Sequence, residues 1–122
     1  MTRTILIAED EPFIVESLTF LFERAGYRVV SAEDGRSTLH MIRSVAPDLI
    51  VLDAMMRFAT GFDVLKSLRN DSSITQPKVL MLTAKGQKAD RQLALDLGAD
   101  DYIAKPFSNR DVLATVSRLL SN

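Results

Sequence analysis

Two rhythms of apolar and polar residues alternate along the chain. Ile5-Leu6-Ile7-Ala8 is an unbroken apolar run that ends on Glu9-Asp10-Glu11. Pro12 suits the first position of a helix, Ile14, Leu18, Leu21, Phe22 and Ala25 recur at helical spacing, and Gly26 suits its end. Arg28–Ala32 reads as a second strand, Asp34-Gly35 as a turn, and Leu39, Ile42 and Ala46 as the apolar positions of a weaker helix closed by Pro47. Leu49-Ile50-Val51-Leu52, bounded by Asp48 and Asp53, shows no alternation, as expected of a central parallel strand buried on both faces. A loop ending at Gly61 follows, then Phe62, Leu65 and Leu68 on a helix running to the neighbourhood of Asn70. Asp71–Pro77 is a polar loop inside the same domain, because the next run, Lys78–Leu82 leading into Thr83-Ala84, needs the same sheet. After Gly86, Ala89, Leu93 and Leu97 share one helical face, with Leu95 off it and exposed, and Gly98 closes the helix. Asp100–Ala104 is the last strand and ends on Lys105-Pro106-Phe107. Ser108 and Asp111 have capping-box spacing before a final helix lined by Val112, Val116, Leu119 and Leu120.

Strand and helix therefore alternate five times. This predicts an α/β fold whose parallel sheet is covered by helices on both faces. Right-handed crossovers bring every strand C-terminus to one edge, which is where open sheets of this kind bind ligands. That edge collects Glu9 and Asp10 from the first strand, Asp53 from the third, Thr83 from the fourth and Lys105 from the fifth. Each has an ordinary structural role available. Acids favour a helix N-terminus, an Asp can mark a turn, and a Thr hydroxyl can cap nearby backbone. As a set they carry chemistry. Carboxylates without His suit a hard divalent ion such as Mg²⁺ (or Mn²⁺), an Asp can accept a phosphoryl group as an acyl phosphate, and a hydroxyl and an ammonium suit phosphoryl oxygens. Met55 and Met56 read as packing residues and His40 as a surface residue.

Composition narrows the choice. With 122 residues, 47% hydrophobic and 25% charged, the chain fits one globular domain. A net charge of -1 gives no broad cationic field for nucleic acid or an anionic membrane. The absence of Cys excludes disulfides and thiolate metal sites and agrees with the cytoplasm, and a single His cannot build a His-based zinc site. No signal peptide and no apolar run of roughly 18 residues is present. There is no glycine-rich phosphate loop to favour a nucleotide substrate.

On Glu9-Asp10-Glu11, Asp53 with Met56 and Gly61, Thr83-Ala84, and Gly98-Ala99-Asp100-Asp101-Tyr102 running into Lys105-Pro106-Phe107, the whole chain resembles a receiver domain of a bacterial two-component response regulator. It is most similar to receivers of the winged-helix transcriptional regulators. The resemblance implies a single receiver domain over 1–122 and a flavodoxin-like, doubly wound sheet in the order 2-1-3-4-5 with five flanking helices. It implies that Asp53 accepts a phosphoryl group from a phosphohistidine of a sensor histidine kinase or phosphotransfer protein. Asp10, Asp53 and the Met55 backbone carbonyl would bind Mg²⁺, with Glu9 acting through water. Thr83 and Lys105 would contact the phosphoryl group, and the Lys105–Pro106 peptide would be cis. Thr83 and Tyr102 would form the switch that remodels the face of the fourth helix, fifth strand and fifth helix. Arg91, Leu95 and Asp111 on that face would serve a phosphorylation-enhanced homodimer. The domain would be a switch rather than an enzyme acting on a separate metabolite, with no nucleic acid or membrane contact of its own.

The chain departs from the family at Arg57, where a Pro is usual, and at Thr115, where dimerising relatives carry a basic residue. In the family, residues at the positions of Met55 and Lys85 tune phosphoryl loss. Two other functions compete: an interaction module that signals without phosphate, and a small enzyme, either flavin-binding or an aspartyl-phosphate phosphatase. The intact polar set argues against the first, and Met55 at a position where such phosphatases place a second Asp argues against the last.

Overall fold

The computed structural model describes residues 2–56, 59–84 and 86–121, so Arg57 and Lys85 lie outside the described residues. The elements are β1 (Thr4–Ala8), α1 (Pro12–Arg24), β2 (Arg28–Ala32), α2 (Gly35–Val45), β3 (Leu49–Asp53), α3 (Gly61–Asn70), β4 (Lys78–Ala84), α4 (Lys88–Asp96), β5 (Asp101–Lys105) and α5 (Asn109–Leu120). The strands form one parallel sheet in the expected order β2-β1-β3-β4-β5.

The unbroken apolar runs are explained by two cores. Successive strand residues point to opposite faces. Leu6, Ile50, Leu52, Val79 and Met81 pack with Ile42 of α2, Val64, Leu65 and Leu68 of α3 and Ala94 of α4. Ile5, Ile7, Leu49, Val51, Leu80 and Leu82 pack with Leu18 and Phe22 of α1 and Val112, Val116 and Leu120 of α5. Register then aligns the ends of the strands. Ala8 lies beside Leu52, Asp53 beside Leu82, Thr83 beside Ala104 and Ala84 beside Lys105.

Several expectations need correction. α4 does not bury Ala89, Leu93 and Leu97 together. Ala94 is its buried residue, Ala89 is exposed, Leu93 is 41% exposed and Leu97 is half-buried. A small Ala lets the helix approach the sheet closely, and larger side chains one turn away are left at the rim. Ala25 and Ala46 are helix C-caps rather than face residues, the latter with φ of 52°. In α2 the buried place goes instead to Thr38, whose hydroxyl donates to the Asp34 carbonyl at 2.7 Å. Ser108 accepts from the Asp111 N–H, so half of that capping box forms, whereas Thr60 and Asp63 make a complete one on α3.

The opposite edge of the sheet is tied by Arg69 at the end of α3. Its guanidinium donates to the carbonyls of Gly98 and Pro77 (2.9 Å each), to Gln76 Oε1 (2.8 Å) and to Asp100 Oδ2 (3.1 Å). Asp100 Oδ2 also accepts the Val79 N–H at 2.8 Å. One planar fork thus fastens α3, the loop before β4 and the turn before β5. Arg69→Ala is expected to destabilise the fold by about 2–3 kcal/mol in urea denaturation, with Arg69→Lys recovering less than half, since an ammonium cannot span those acceptors.

Candidate functional site

The acids that follow β1 divide their labour. Glu11 is the N-cap of α1, its side chain accepting the Phe13 N–H at 3.5 Å. Glu9 turns inward, anchored by its N–H to the Ala32 carbonyl at 3.0 Å and by the Glu11 N–H on its Oε2 at 3.1 Å. Asp53 is the last residue of β3. The Ala54 N–H bonds the Leu82 carbonyl, and the Gly61 N–H returns to the Ala54 carbonyl, both at 2.9 Å. A Cβ on Gly61 would lie 2.2 Å from the Asp53 carbonyl oxygen, so only glycine lets the chain close against the strand end.

The convergence predicted from the strand ends is present for Glu9, Asp10, Asp53 and Lys105. Glu9, Asp10 and Asp53 each place a carboxylate oxygen within 4.8 Å of the others. Glu9 and Asp53 are only 1% and 4% exposed, and Asp10 is half-buried. Lys105 Nζ lies 2.8 Å from Glu9 Oε1 and 3.2 Å from Asp53 Oδ1. The contact with Glu9 is an ion pair rather than an aligned hydrogen bond, because Oε1 has no aligned donor among the described residues. Asp53 Oδ1 also accepts the Met55 N–H at 3.2 Å. The Lys105–Pro106 peptide is cis, as expected.

Burial and the adjacent Asp53 push the Glu9 carboxyl up to about 7, against the opposing pull of Lys105 and the Glu11 N–H. For Lys105, burial pulls downward, but Glu9 and Asp53 outweigh it and raise the ammonium above its ordinary value. For Glu9 the largest influence is burial, with Asp53 adding to it, whereas for Lys105 the two nearby carboxylates together outweigh burial. An oxygen-only cluster fits a hard divalent ion, and the carboxylates of Glu9, Asp10 and Asp53 lie close enough together to hold one. Thr83 is buried, and its hydroxyl has no hydrogen-bond partner among the described residues. Such an atom normally finds a partner.

Met55 is not a packing residue. It is 62% exposed beside Asp53, while Met56 is buried in the core. Tyr102 is half-buried against the core, and the Arg91 guanidinium carbon lies 5.8 Å from its ring centroid. Leu95 is 41% exposed, as expected, and Asp111 is exposed. Sequence reasoning did not anticipate the Arg91–Tyr102 contact, nor the ion pair of Arg118 with Asp101, since both depend on how side chains reach between neighbouring elements.

The family described as response regulator receiver domain matches residues 5–117. The chain is 45% identical over 120 residues to the alkaline phosphatase synthesis transcriptional regulatory protein PhoP of Bacillus subtilis, covering 98% of this chain and 49% of that one. It is 40% identical over 120 residues to the phosphate regulon transcriptional regulatory protein PhoB of Escherichia coli, covering 98% and 52%. The chain thus spans about half the length of the curated relatives it matches. Among solved structures, a putative response regulator from Chloroflexus aurantiacus superimposes with a TM-score of 0.94 at 30% identity over all of both chains. The chemotaxis response regulator CheY4 of Vibrio cholerae gives 0.91 at 30% identity, over 98% of this chain and all of that one.

Two expectations follow from the geometry. Glu9 is protonated more readily folded than unfolded, so its contribution to stability is full below about 4.5 and lost as pH rises through about 7. In metal-free buffer the unfolding free energy should lose on the order of 2 kcal/mol over that window, and Glu9→Gln should remove the loss. Gly61→Ala should cost at least about 2 kcal/mol in the same denaturation assay, because its Cβ displaces the Asp53 backbone.

Proposed function

The chain belongs to the response regulator receiver domain family, and on that footing we propose that Asp53 is the phosphoryl acceptor of its signalling switch. The observation that carries the proposal is the junction of Asp53 with Glu9, Asp10 and Lys105 at one sheet edge. A carboxylate oxygen of Asp53 attacks the phosphorus of a phosphohistidine, the P–N bond breaks, and the imidazole leaves with its electron pair and takes a proton. The product is an acyl phosphate on Asp53, which water later hydrolyses at phosphorus. Lys105 faces the new negative charge, and the buried Thr83 hydroxyl, without a partner among the described residues, donates to a phosphoryl oxygen. Asp10, Asp53 and the Met55 carbonyl would hold Mg²⁺ or Mn²⁺, with Glu9 acting through water. When bound, the ion supplies positive charge for the phosphoryl oxygens.

The hydrogen bond from Thr83 exists only in the phosphorylated state, and a contact confined to one state is what shifts a conformational equilibrium. Tyr102 on β5 follows by turning inward, which changes the surface of α4, β5 and α5. Through Arg91, Leu95 and Asp111 that surface would promote a homodimer. A sensor histidine kinase or phosphotransfer protein is the phosphoryl donor in this reading, residues 1–122 act as one receiver, and the setting is the cytoplasm. Among the described residues, no helix is long and apolar enough to cross a membrane.

Incubation with acetyl phosphate and Mg²⁺ should add one phosphoryl mass to the intact protein. EDTA or Asp53→Asn should abolish the gain. A gain that survives Asp53→Asn would place the acceptor elsewhere, and no gain despite demonstrated Mg²⁺ binding would favour an interaction module that works without phosphate.

A further inference from the structure

Arg91 combines two unusual features. Its guanidinium sits over the Tyr102 ring at 5.8 Å, within the range of a cation–π contact. Its Nε is buried and has no hydrogen-bond partner among the described residues. Arg is poorly suited to losing a donor to burial, so a guanidinium left partly unsatisfied stays only where another interaction holds it. Here that interaction is the face of Tyr102. The ring itself is half-buried, resting on the core cluster that contains Ala94 of α4 and Ala99 of the turn before β5. Tyr102 lies beside Met81 in register, and Thr83, two residues further along β4, also carries a buried polar atom without a partner among the described residues. One such atom thus lies on α4 over the Tyr102 ring and another on β4, the strand that pairs with β5.

We propose that Arg91 is a cationic latch on Tyr102: it holds the ring in the half-buried position and so opposes the switch. The inference rests on the reading of Tyr102 as the switch aromatic. When the ring turns inward it leaves the guanidinium, so the contact stabilises one conformer only and sets the resting bias. Arg91 is a positioning residue that acts through Tyr102 and not on the phosphoryl group. Release also returns Nε to solvent, which offsets part of the lost contact.

The test compares Arg91→Gln, which keeps length and a donor but not charge, with Lys88→Gln, an equal charge loss at an exposed position of the same helix. Phosphoryl incorporation from acetyl phosphate with Mg²⁺ is followed by intact mass. The sequence has no Trp and only two Tyr, so a Tyr27→Phe background leaves Tyr102 as the sole indole- or phenol-type emitter and its acrylamide quenching as a second readout. Arg91→Gln should incorporate phosphoryl groups about two- to five-fold faster than the parent, the range set by a cation–π contact. Lys88→Gln should match the parent, and the gain should vanish when Tyr102→Leu is added to both arms. Tyr102 quenching should change in Arg91→Gln before any phosphorylation. Equal rates for Arg91→Gln and Lys88→Gln, or a gain that persists with Tyr102→Leu, would overturn the latch. No incorporation in the parent would instead overturn the phosphoacceptor reading, and unchanged quenching would then dispose of the contact as well.

Discussion

Excess negative charge at the sheet edge is the constraint on which the rest of this structure depends. Glu9, Asp10 and Asp53 bring carboxylate oxygens within 4.8 Å of one another, with Lys105 as the cation between them. Like charges at such distances repel strongly away from bulk water. The apolar strands make the arrangement tolerable because β1, β3 and β4 are packed on both faces and cannot easily splay apart. Stability is supplied by the two cores, and the edge is left free to hold a group that relieves the charge. Burial and then Asp53 raise the pKa of Glu9, and Glu9 and Asp53 raise that of Lys105 against the effect of burial.

The supporting features are of a different kind. Gly61 closes the loop after Asp53 by approaching its carbonyl more closely than any side chain would allow. The Thr60–Asp63 capping box starts α3 immediately beyond that closure. At the far edge, Arg69 binds three segments together. Arg91 on Tyr102 joins α4 to β5.

The parallel sheet and the meeting of Glu9, Asp10, Asp53 and Lys105 were legible in the sequence because apolar runs end abruptly on polar residues, and parallel topology sends all such ends one way, whereas the strand order came only from the family resemblance. Legibility failed where one element packs lightly. α4 buries a single Ala, so the larger Leu residues mark its face falsely. Ala25 and Ala46 continued a helical rhythm but serve as caps, because the chain turns before the rhythm stops. Met55 and Met56 look alike in sequence, yet one is exposed and the other is core, since the strand has ended and adjacent residues no longer share an environment. Arg91 against Tyr102 and Arg118 against Asp101 depend on side-chain reach between elements, which no local pattern encodes.

The most direct test of the central claim is a crystal structure of the protein with Mg²⁺ and beryllofluoride, a non-covalent mimic of a phosphoryl group on a carboxylate. The account predicts the mimic on Asp53, Mg²⁺ against Asp10, Asp53 and the Met55 carbonyl, Lys105 in contact with a fluorine, and the Thr83 hydroxyl hydrogen-bonded to another. Beryllofluoride on a different carboxylate, or on Asp53 with Thr83 still unpartnered and Tyr102 unmoved, would contradict it.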